Sequence, residues 1–254
     1  MSLIEYTLEG KINRVDIAIE RLKSFEPPEG YYLAFSGGKD SIVCYELCKM
    51  SGVKFDTHFN FTTVDPPELL RFIRDNYPDV IWDKPEKTMW QLIEEKMMPP
   101  TRIARYCCQY LKEHGGRGRI VILGVRRAES FKRRNRGIVE ACKKEHKTLV
   151  SPIVDWSDKD VWEFIKIYKL KYCCLYDEGY KRIGCVLCPM QTLRMKKIDI
   201  ERYPGFYKAY LKAFGKMLEK HKERGIKNKQ WHTPEDVMNC WIYEKSKIKQ
   251  DTLF

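Results

Sequence analysis

Residues 31–50 constrain the fold most, because they join a strand to a helix through a hexapeptide with two adjacent glycines. Residues 31–35 are short, apolar and aromatic, as buried strands are. Apolar residues between 42 and 50 then recur with the spacing of one helix face. The hexapeptide at 36–41 is therefore predicted to form a strand-to-helix turn.

This turn has the chemistry of an anion site. Gly37 and Gly38 allow a tight backbone that brings several N–H groups to one anion, and the following helix aims its positive end there. The other members offer hydroxyl donors, an ammonium group and a carboxylate that can hold an accompanying cation: Ser36 and Ser41, Lys39, and Asp40. A plain tight turn is the alternative for the glycine pair alone. The strand, the helix and the hexapeptide together favour a phosphate or pyrophosphate ligand, although neither a Walker A nor a G-x-G-x-x-G pattern fits.

Strands and helices alternate along most of the chain. Further strands are predicted at 54–61, 80–82, 119–125 and 149–154, and helices at 5–24, 66–77, 88–97 and from Ser157, its N-cap. This alternation predicts an α/β fold: a doubly wound, mostly parallel sheet with helices on both faces. Residues from 203 onward have a helical pattern. We therefore expect an N-terminal helix at 1–28, a nucleotide-binding domain at 29–190 and a helical C-terminal region at 191–254.

A run of basic residues, 126–136, directly follows the strand predicted at 119–125. The end of that strand is expected at the same sheet edge as the hexapeptide. Such runs are usually solvated faces, but fork-shaped guanidinium groups at this edge suit phosphate or sulfate. Arg126 and Arg127 are accordingly predicted to touch the ligand.

The composition points to an anionic partner and a reducing compartment. Lys and Arg outnumber Asp and Glu by 47 to 35, a net charge of +12, which suits a nucleotide or a nucleic acid. Residues 1–14 carry no apolar signal core and no run reaches the length of a membrane span, so we expect a cytoplasmic protein without membrane contact. Its ten cysteines should then be reduced and serve metal binding or catalysis.

Two cysteine pairs stand out. Cys107-Cys108 and Cys185-x-x-Cys188 together offer four sulfur ligands, which suit zinc or an iron–sulfur cluster. Spacing does not choose between them, but adjacent side chains on a helix diverge, so a cluster is an easier target than one ion. The others are interpreted as buried apolar thiols, except for the ambiguous pair Cys173-Cys174: Cys44, Cys48, Cys142 and Cys240.

The hexapeptide resembles the S-G-G-x-D-S loop of the PP-loop superfamily, the adenine nucleotide α-hydrolase-like proteins, which include ATP pyrophosphatases and sulfonucleotide reductases. The two cysteine pairs, the segment Gly124-Val-Arg-Arg-Ala-Glu-Ser130 and residues 151–185 are similar to the 4Fe-4S members of the phosphoadenosine phosphosulfate (PAPS) reductase family. These matches run in order from about residue 30 to 190.

The resemblance implies an adenine nucleotide, either ATP or a sulfonucleotide, with Mg²⁺ on Asp40. It also implies a 4Fe-4S cluster on the two cysteine pairs, with zinc as the alternative. Gly124 would belong to the nucleotide site, and Thr62, with Thr63 and Asp65, would line the nucleoside pocket. Helix capping by Asp65 is the equally favoured alternative.

Three departures keep the reaction open. Sulfonucleotide reductases typically carry a cysteine near the C-terminus in an E-C-G-x-H context, and the tail here offers only Cys240. The complete hexapeptide is more typical of family members that cleave ATP. The Asn-Pro that usually stands before a Leu-Tyr-Asp motif is replaced here by Cys173-Cys174. The first hypothesis is ATP-dependent sulfur transfer to a tRNA or DNA acceptor, fed by a sulfur or electron donor protein. The second is reduction of a sulfonucleotide to sulfite. The third is a nucleotide- or nucleic-acid-binding module with a structural cluster.

The residues expected to carry the chemistry are Lys39, Asp40, Arg126 and Cys174. The sequence does not decide whether the protein forms an oligomer.

Overall fold

The computed structural model describes residues 3–7, 10–226 and 230–243. Its eight strands within this part of the chain are β1 (Ile4–Thr7), β2 (Gly10–Asn13), β3 (Tyr31–Ala34), β4 (Phe55–Asn60), β5 (Ile81–Asp83), β6 (Ile120–Ile122), β7 (Val139–Cys142) and β8 (Lys147–Val150). The α-helices there are α1 (Arg14–Ser24), α2 (Lys39–Ser51), α3 (Pro67–Asn76), α4 (Met89–Lys96), α5 (Tyr106–Cys108), α6 (Asp158–Ile167), α7 (Leu193–Arg202), α8 (Pro204–Glu223) and α9 (Pro234–Tyr243).

Six strands form one sheet in the order β5-β4-β3-β6-β8-β7, and every pairing is parallel except that of β7 with β8. The chain moves outward from β3 through β4 to β5 and then returns to add β6 on the other side of β3. Ligands of open α/β sheets bind at such a reversal, outside the carboxyl ends of the strands. The glycine loop (residues 36–41) follows β3, and Gly124 follows β6, so both lie at this reversal. The prediction of an α/β fold with a mainly parallel sheet flanked by helices is confirmed.

The chain forms two compact units. The first contains the sheet and comprises the residues up to 61, 67–84 and 113–183. Its core packs α1, α2 and α6 against β3, β6 and β8, with Leu22, Leu33, Leu47, Ile122 and Phe164 fully buried. Burial of each such side chain contributes about 1.5–3 kcal/mol, so this layer anchors the strands that position the glycine loop.

The second unit comprises residues 62–66, 85–112 and those from 184 onward. Its core joins α4, α8 and α9, where Trp241 packs against Tyr210 and Phe214. Both predicted cysteine pairs lie in this unit. The expected domain boundaries at 28 and 190 remain a prediction.

Two local predictions were wrong. The helix expected at 5–24 begins only at Arg14, where Asn13 caps it by accepting the Val15 N–H at 3.0 Å; β1 and β2 form a hairpin before it. The strand expected at 149–154 is β8, at Lys147–Val150, and an unpredicted antiparallel neighbour, β7, precedes it. The helical pattern predicted from residue 203 is confirmed by α8 and α9, and α7 lies before it.

Across the described residues, no helix is both long enough and apolar enough to cross a membrane.

Candidate active site

Gly37 is the position in the glycine loop where a side chain would be both strained and crowded. Its φ of +68° is the left-handed conformation that favours glycine. A Cβ there would lie 2.7 Å from Leu69 Cδ1 and 2.8 Å from Ile73 Cδ1 on α3. Gly38, with an ordinary φ of −82°, is the N-cap of α2. The loop therefore passes close under α3 and leads directly into the positive end of a 13-residue helix.

The two serines of the loop bind each other and the backbone. Ser41 Oγ donates to the Gly38 carbonyl at 2.8 Å and accepts the Ser36 N–H at 3.2 Å. Ser36 Oγ lies 3.2 Å from Ser41 Oγ, and Ser36 is exposed. These contacts hold the turn closed while one hydroxyl-bearing residue faces solvent.

Gly124 allows β6 to end directly against the first turn of α2. A Cβ at this position would stand 2.8 Å from the carbonyl carbon and 2.9 Å from the carbonyl oxygen of Asp40. These are backbone atoms and cannot swing away as a flexible side chain can. Only glycine at 124 is compatible with this approach.

Arg126 joins three parts of the first unit. It is 2% exposed, and its Nε donates to Asp40 Oδ1 at 2.7 Å. Its Nη2 donates to Asp158 Oδ1 at 3.0 Å, at the start of α6. Burial raises the pKa of Asp40, and the charges of Arg126 and Lys39 oppose that rise. The guanidinium that the sequence assigned to a ligand thus holds the carboxylate that follows the glycine loop.

Lys39 is also drawn into this network. Its Nζ lies 3.2 Å from Asp158 Oδ1, 3.9 Å from Asp40 Oδ2 and 3.2 Å from the Lys181 carbonyl, to which it donates. Its backbone N–H donates to the Tyr176 hydroxyl at 2.9 Å. Two cations and two carboxylates therefore balance one another beside the glycine loop.

Arg127 stands apart from that network. It is exposed, its N–H donates to the Val154 carbonyl at 2.8 Å, and its Nε donates to the Arg136 carbonyl at 2.7 Å.

The four cysteines of the two predicted pairs, Cys107, Cys108, Cys185 and Cys188, are hereafter the cysteine group. Cys107 lies in the core of the second unit, Cys108 and Cys185 pack against that core, and the Cys188 N–H donates to the Cys185 carbonyl at 3.3 Å. The pKa of Cys107 is raised by a hydrogen bond with Cys108, by burial, and then by the charges of the other members. Burial and the charge of Cys185 raise the pKa of Cys188. None of the ten cysteines, all of which lie in the described residues, forms a disulfide. Of the four that the sequence suggested to be buried apolar thiols, Cys44 and Cys48 are buried, whereas Cys142 is half-buried and Cys240 is exposed, so the prediction was wrong for the last two. In the part of the chain that the structure describes, no three Cys, His, Asp or Glu side chains are arranged to hold a single metal ion.

Two polar residues, Lys112 and Thr62, interact with Cys185. Lys112 is exposed, and its pKa is raised first by the charge of Cys185 and further by Asp65. Thr62 is buried in the same unit, with Oγ1 at 3.5 Å from Cys185 Sγ and its N–H donating to Asp65 Oδ2 at 2.7 Å. Thr62, predicted to line a nucleoside pocket, therefore contacts a thiol, and its role toward a nucleoside stays a prediction.

The loop between Cys185 and Cys188 is held by a buried carboxylate. Asp199, on α7, accepts the Leu187 N–H at 2.8 Å and the Gln191 side-chain N–H at 2.9 Å. Leu187 has a φ of +55°, a conformation that costs a non-glycine residue free energy and requires support from its surroundings. Asp199 provides that support.

Cys173 and Cys174 belong to the first unit and differ sharply. Cys173 is fully buried, and burial raises its pKa to about 11. Cys174 is exposed at the start of a short 3₁₀ helix, Cys174–Tyr176, whose last residue binds the Lys39 N–H. The thiol predicted to be catalytic is thus on the same short helix as a glycine-loop contact.

Sequence reasoning missed Tyr176, Asp158 and Asp199 as parts of these arrangements. Tyr176 lies within residues 151–185, which carry part of the family resemblance, and Asp158 follows the N-cap Ser157, which was interpreted only as a helix start. Asp199 carries no signal in the sequence pattern.

Comparison with known proteins identifies the family. The phosphoadenosine phosphosulfate reductase domain model matches residues 30–191. An uncharacterized protein of Methanocaldococcus jannaschii is 30% identical over 218 residues, covering 78% of this chain and 45% of that protein. A probable FAD synthase of Schizosaccharomyces pombe is 29% identical over 207 residues, covering 78% of this chain and 76% of the synthase. The adenosine 5′-phosphosulfate reductase of Halalkalibacterium halodurans is 24% identical over 230 residues, covering 78% of this chain and 93% of the reductase.

The chain spans about half the length of the Methanocaldococcus relatives that it matches. The family model covers well over half of the chain, including the glycine loop, Gly124, Arg126 and all four members of the cysteine group. The chain belongs to the phosphoadenosine phosphosulfate reductase domain family.

Proposed function

We propose that this protein is an adenine-nucleotide-binding iron–sulfur enzyme that uses ATP to transfer sulfur to a nucleic acid acceptor. The observation that carries the proposal is the convergence of Gly37, Gly124 and Arg126 on the first turn of α2. Backbone N–H groups, a helix N-terminus and an ordered carboxylate there suit a polyphosphate and its cation. FAD and adenosine 5′-phosphosulfate, named in its relatives, both contain an adenosine 5′-phosphate unit.

In the proposed reaction, an acceptor oxygen attacks the α-phosphorus of ATP, and the bond to pyrophosphate breaks. Pyrophosphate would be held by the glycine loop and Lys39, and the Asp40 carboxylate, which Arg126 holds in place, would bind a Mg²⁺ ion that offsets the charge of the phosphates. Hydrosulfide from a sulfur donor protein then attacks the activated acceptor carbon, forming the C–S bond as AMP leaves with the oxygen. No electrons are needed for this sequence, because sulfur enters and leaves at the sulfide level.

The donor set of the cysteine group fits an iron–sulfur cluster, since thiols are the ligands that such clusters take and the four lie on one core of the second unit or in the turn beside it. Cys107, Cys108, Cys185 and Cys188 would hold it. Bound there, a cluster would supply a binding site for the sulfide-level sulfur that is to be transferred. Lys112 would offset negative charge on the thiolates, given its coupling to Cys185.

The deciding experiment measures pyrophosphate and AMP from ATP, with sulfide and bulk tRNA as donor and acceptor, after anaerobic purification. We expect pyrophosphate release in the wild type and its loss in Asp40→Asn. Asp75→Asn, an exposed carboxylate on α3, is the matched control and should retain activity. An Asp40→Asn protein as active as the wild type would refute the assigned cation site, and no pyrophosphate release at all would refute ATP cleavage.

Sulfonucleotide reduction is the second candidate, favoured by the adenosine 5′-phosphosulfate reductase relative and the exposed thiol of Cys174. The test measures sulfite release from adenosine 5′-phosphosulfate in the presence of a dithiol. Release that is lost in Cys174→Ser and kept in Cys142→Ser would establish sulfonucleotide reduction in place of ATP-dependent transfer.

Iron and acid-labile sulfide analysis tests the cluster. Cys188→Ser should lose most of the iron, whereas Cys240→Ser, at an exposed cysteine on α9, should keep it. Iron-free wild-type protein that carries one zinc ion would eliminate the cluster.

A further inference from the structure

The segment 127–136, hereafter the basic loop, displays an aromatic ring among positive charges. Phe131 is 86% exposed, the second-largest exposed fraction among the large hydrophobic side chains of the described residues. The loop contains five basic residues and one acidic residue. Lys132 and Arg134, on either side of Arg133, are exposed, as is Arg127 at the start of the loop.

The basic loop is closed and internally braced. Arg127 Nε donates to the Arg136 carbonyl at 2.7 Å, which joins its two ends. Arg133 forms an ion pair with Glu129, and the backbone turns through two short 3₁₀ helices, Arg127–Glu129 and Phe131–Arg133. Compact surface loops with joined ends are frequently functional. Phe131 is thus presented on an ordered support, so binding through it would cost little additional ordering.

The basic loop begins beside the candidate active site. Arg126, the residue before it, donates to Asp40 in the first turn of α2 at 2.7 Å, and Arg126 N–H donates to Glu129 Oε2 at 3.0 Å within the loop. A ligand bound on the loop would therefore lie next to the glycine loop of the same unit.

We propose that the basic loop binds an unpaired segment of RNA, with one base stacked on Phe131 and the adjoining phosphates contacted by Lys132 and Arg134. Base–aromatic stacking next to cationic side chains is the general mode of single-strand binding. Duplexes keep their base faces inside the stack, whereas folded RNAs display unpaired nucleotides in loops and bulges. The inference rests on the proposed function in that the RNA would be the sulfur acceptor, and it names the surface that holds it.

The test measures dissociation constants by fluorescence anisotropy, without ATP, for an RNA hairpin with an eight-nucleotide loop. Phe131→Ala should weaken binding roughly tenfold, the effect of losing one stacked base, and Phe131→Trp should preserve it. Tyr6→Ala, at an aromatic residue that is 80% exposed elsewhere in the same unit, is the matched control and should leave binding unchanged. Lys132→Ala/Arg134→Ala should make the slope of log affinity against log salt shallower by about 1.4, and Lys143→Ala/Lys144→Ala should not.

Wild-type affinity in Phe131→Ala would overturn the proposal, as would equal affinity for a fully paired RNA or for single-stranded DNA of the same sequence. Equal affinity for heparin would reduce the loop to a charge-attracting surface and would also overturn it. Failure of this proposal can be distinguished from failure of the proposed function. Phe131-dependent RNA binding without pyrophosphate release would refute ATP-dependent transfer alone. Pyrophosphate release without RNA binding would refute only the role of the basic loop.

Discussion

Arg126 Nε donates to Asp40 Oδ1 across 2.7 Å, and this contact joins the chain after β6 to the first turn of α2. Because parallel pairing of β3 with β6 brings these two strand ends together, the contact lies at the reversal of strand order. It fixes the one carboxylate of the glycine loop at the site proposed for the nucleotide.

Arg126→Ala should therefore change both stability and pH dependence. Leaving a largely buried carboxylate without this partner should lower the free energy of unfolding by about 3 kcal/mol. Burial already raises the pKa of Asp40 and Arg126 opposes the rise, so the variant's pKa should be higher still. The acid limb of pyrophosphate release should move to higher pH, since a higher pH is needed to ionise Asp40. Arg74→Ala, on α3, is the control and should leave the pH profile of pyrophosphate release unchanged. An acid limb that does not move in Arg126→Ala would contradict this account.

Gly37→Ala should destabilise the protein more than substitution of another left-handed glycine. At Gly52, which ends α2 with a φ of +73°, a Cβ meets nothing within 4 Å, so Gly52→Ala should cost only about 1 kcal/mol. At Gly37 the clash with Leu69 and Ile73 adds to that strain, and a total of about 3 kcal/mol is expected. Denaturant unfolding of the two variants measures the difference. Equal losses would show that α3 moves aside without cost.

The sequence predicted the glycine loop well because its signals are local: an apolar strand, two glycines and a helix-spaced apolar face. It also placed Arg126 at the same sheet edge. It did not predict the pairing of Arg126 with Asp40 and Asp158, because that depends on β6 lying beside β3, which periodicity does not reveal. The same reason applies to β7, a short edge strand whose identity comes from pairing with β8.

The N-terminal hairpin was missed for a different reason. Apolar residues at 12, 15, 18 and 22 fit a helical spacing, yet the side chain of Asn13 caps a helix that starts at Arg14. In the second unit, the cysteine pairs were evident from spacing. Asp199 was not, because a carboxylate that accepts from a backbone N–H twelve residues away leaves no pattern in the sequence.

Cys173 and Cys174 should differ in reactivity although they are adjacent. Only thiolates react with iodoacetamide, and burial both raises the pKa of Cys173 to about 11 and excludes the reagent. At pH 8 the native protein should be alkylated at Cys174 well before Cys173, and the difference should disappear in denaturant. Peptide mass mapping over time measures both rates. Equal rates in the native protein would mean that the 3₁₀ helix opens readily.

Asp199→Ala should loosen the Cys185–Cys188 loop without removing a thiol. The buried Leu187 N–H would lose its acceptor, which should lower the free energy of unfolding by about 1–3 kcal/mol. If that loop positions cluster ligands, iron content after anaerobic purification should fall as well. Asp199→Asn keeps an oxygen acceptor and should retain more iron than the alanine variant. Glu201→Ala, an exposed acid on the same helix, controls for loss of charge on α7. A destabilised Asp199→Ala protein with full iron content would show that Asp199 supports the fold alone, because the thiols would then reach their metal without the Leu187 conformation that Asp199 maintains.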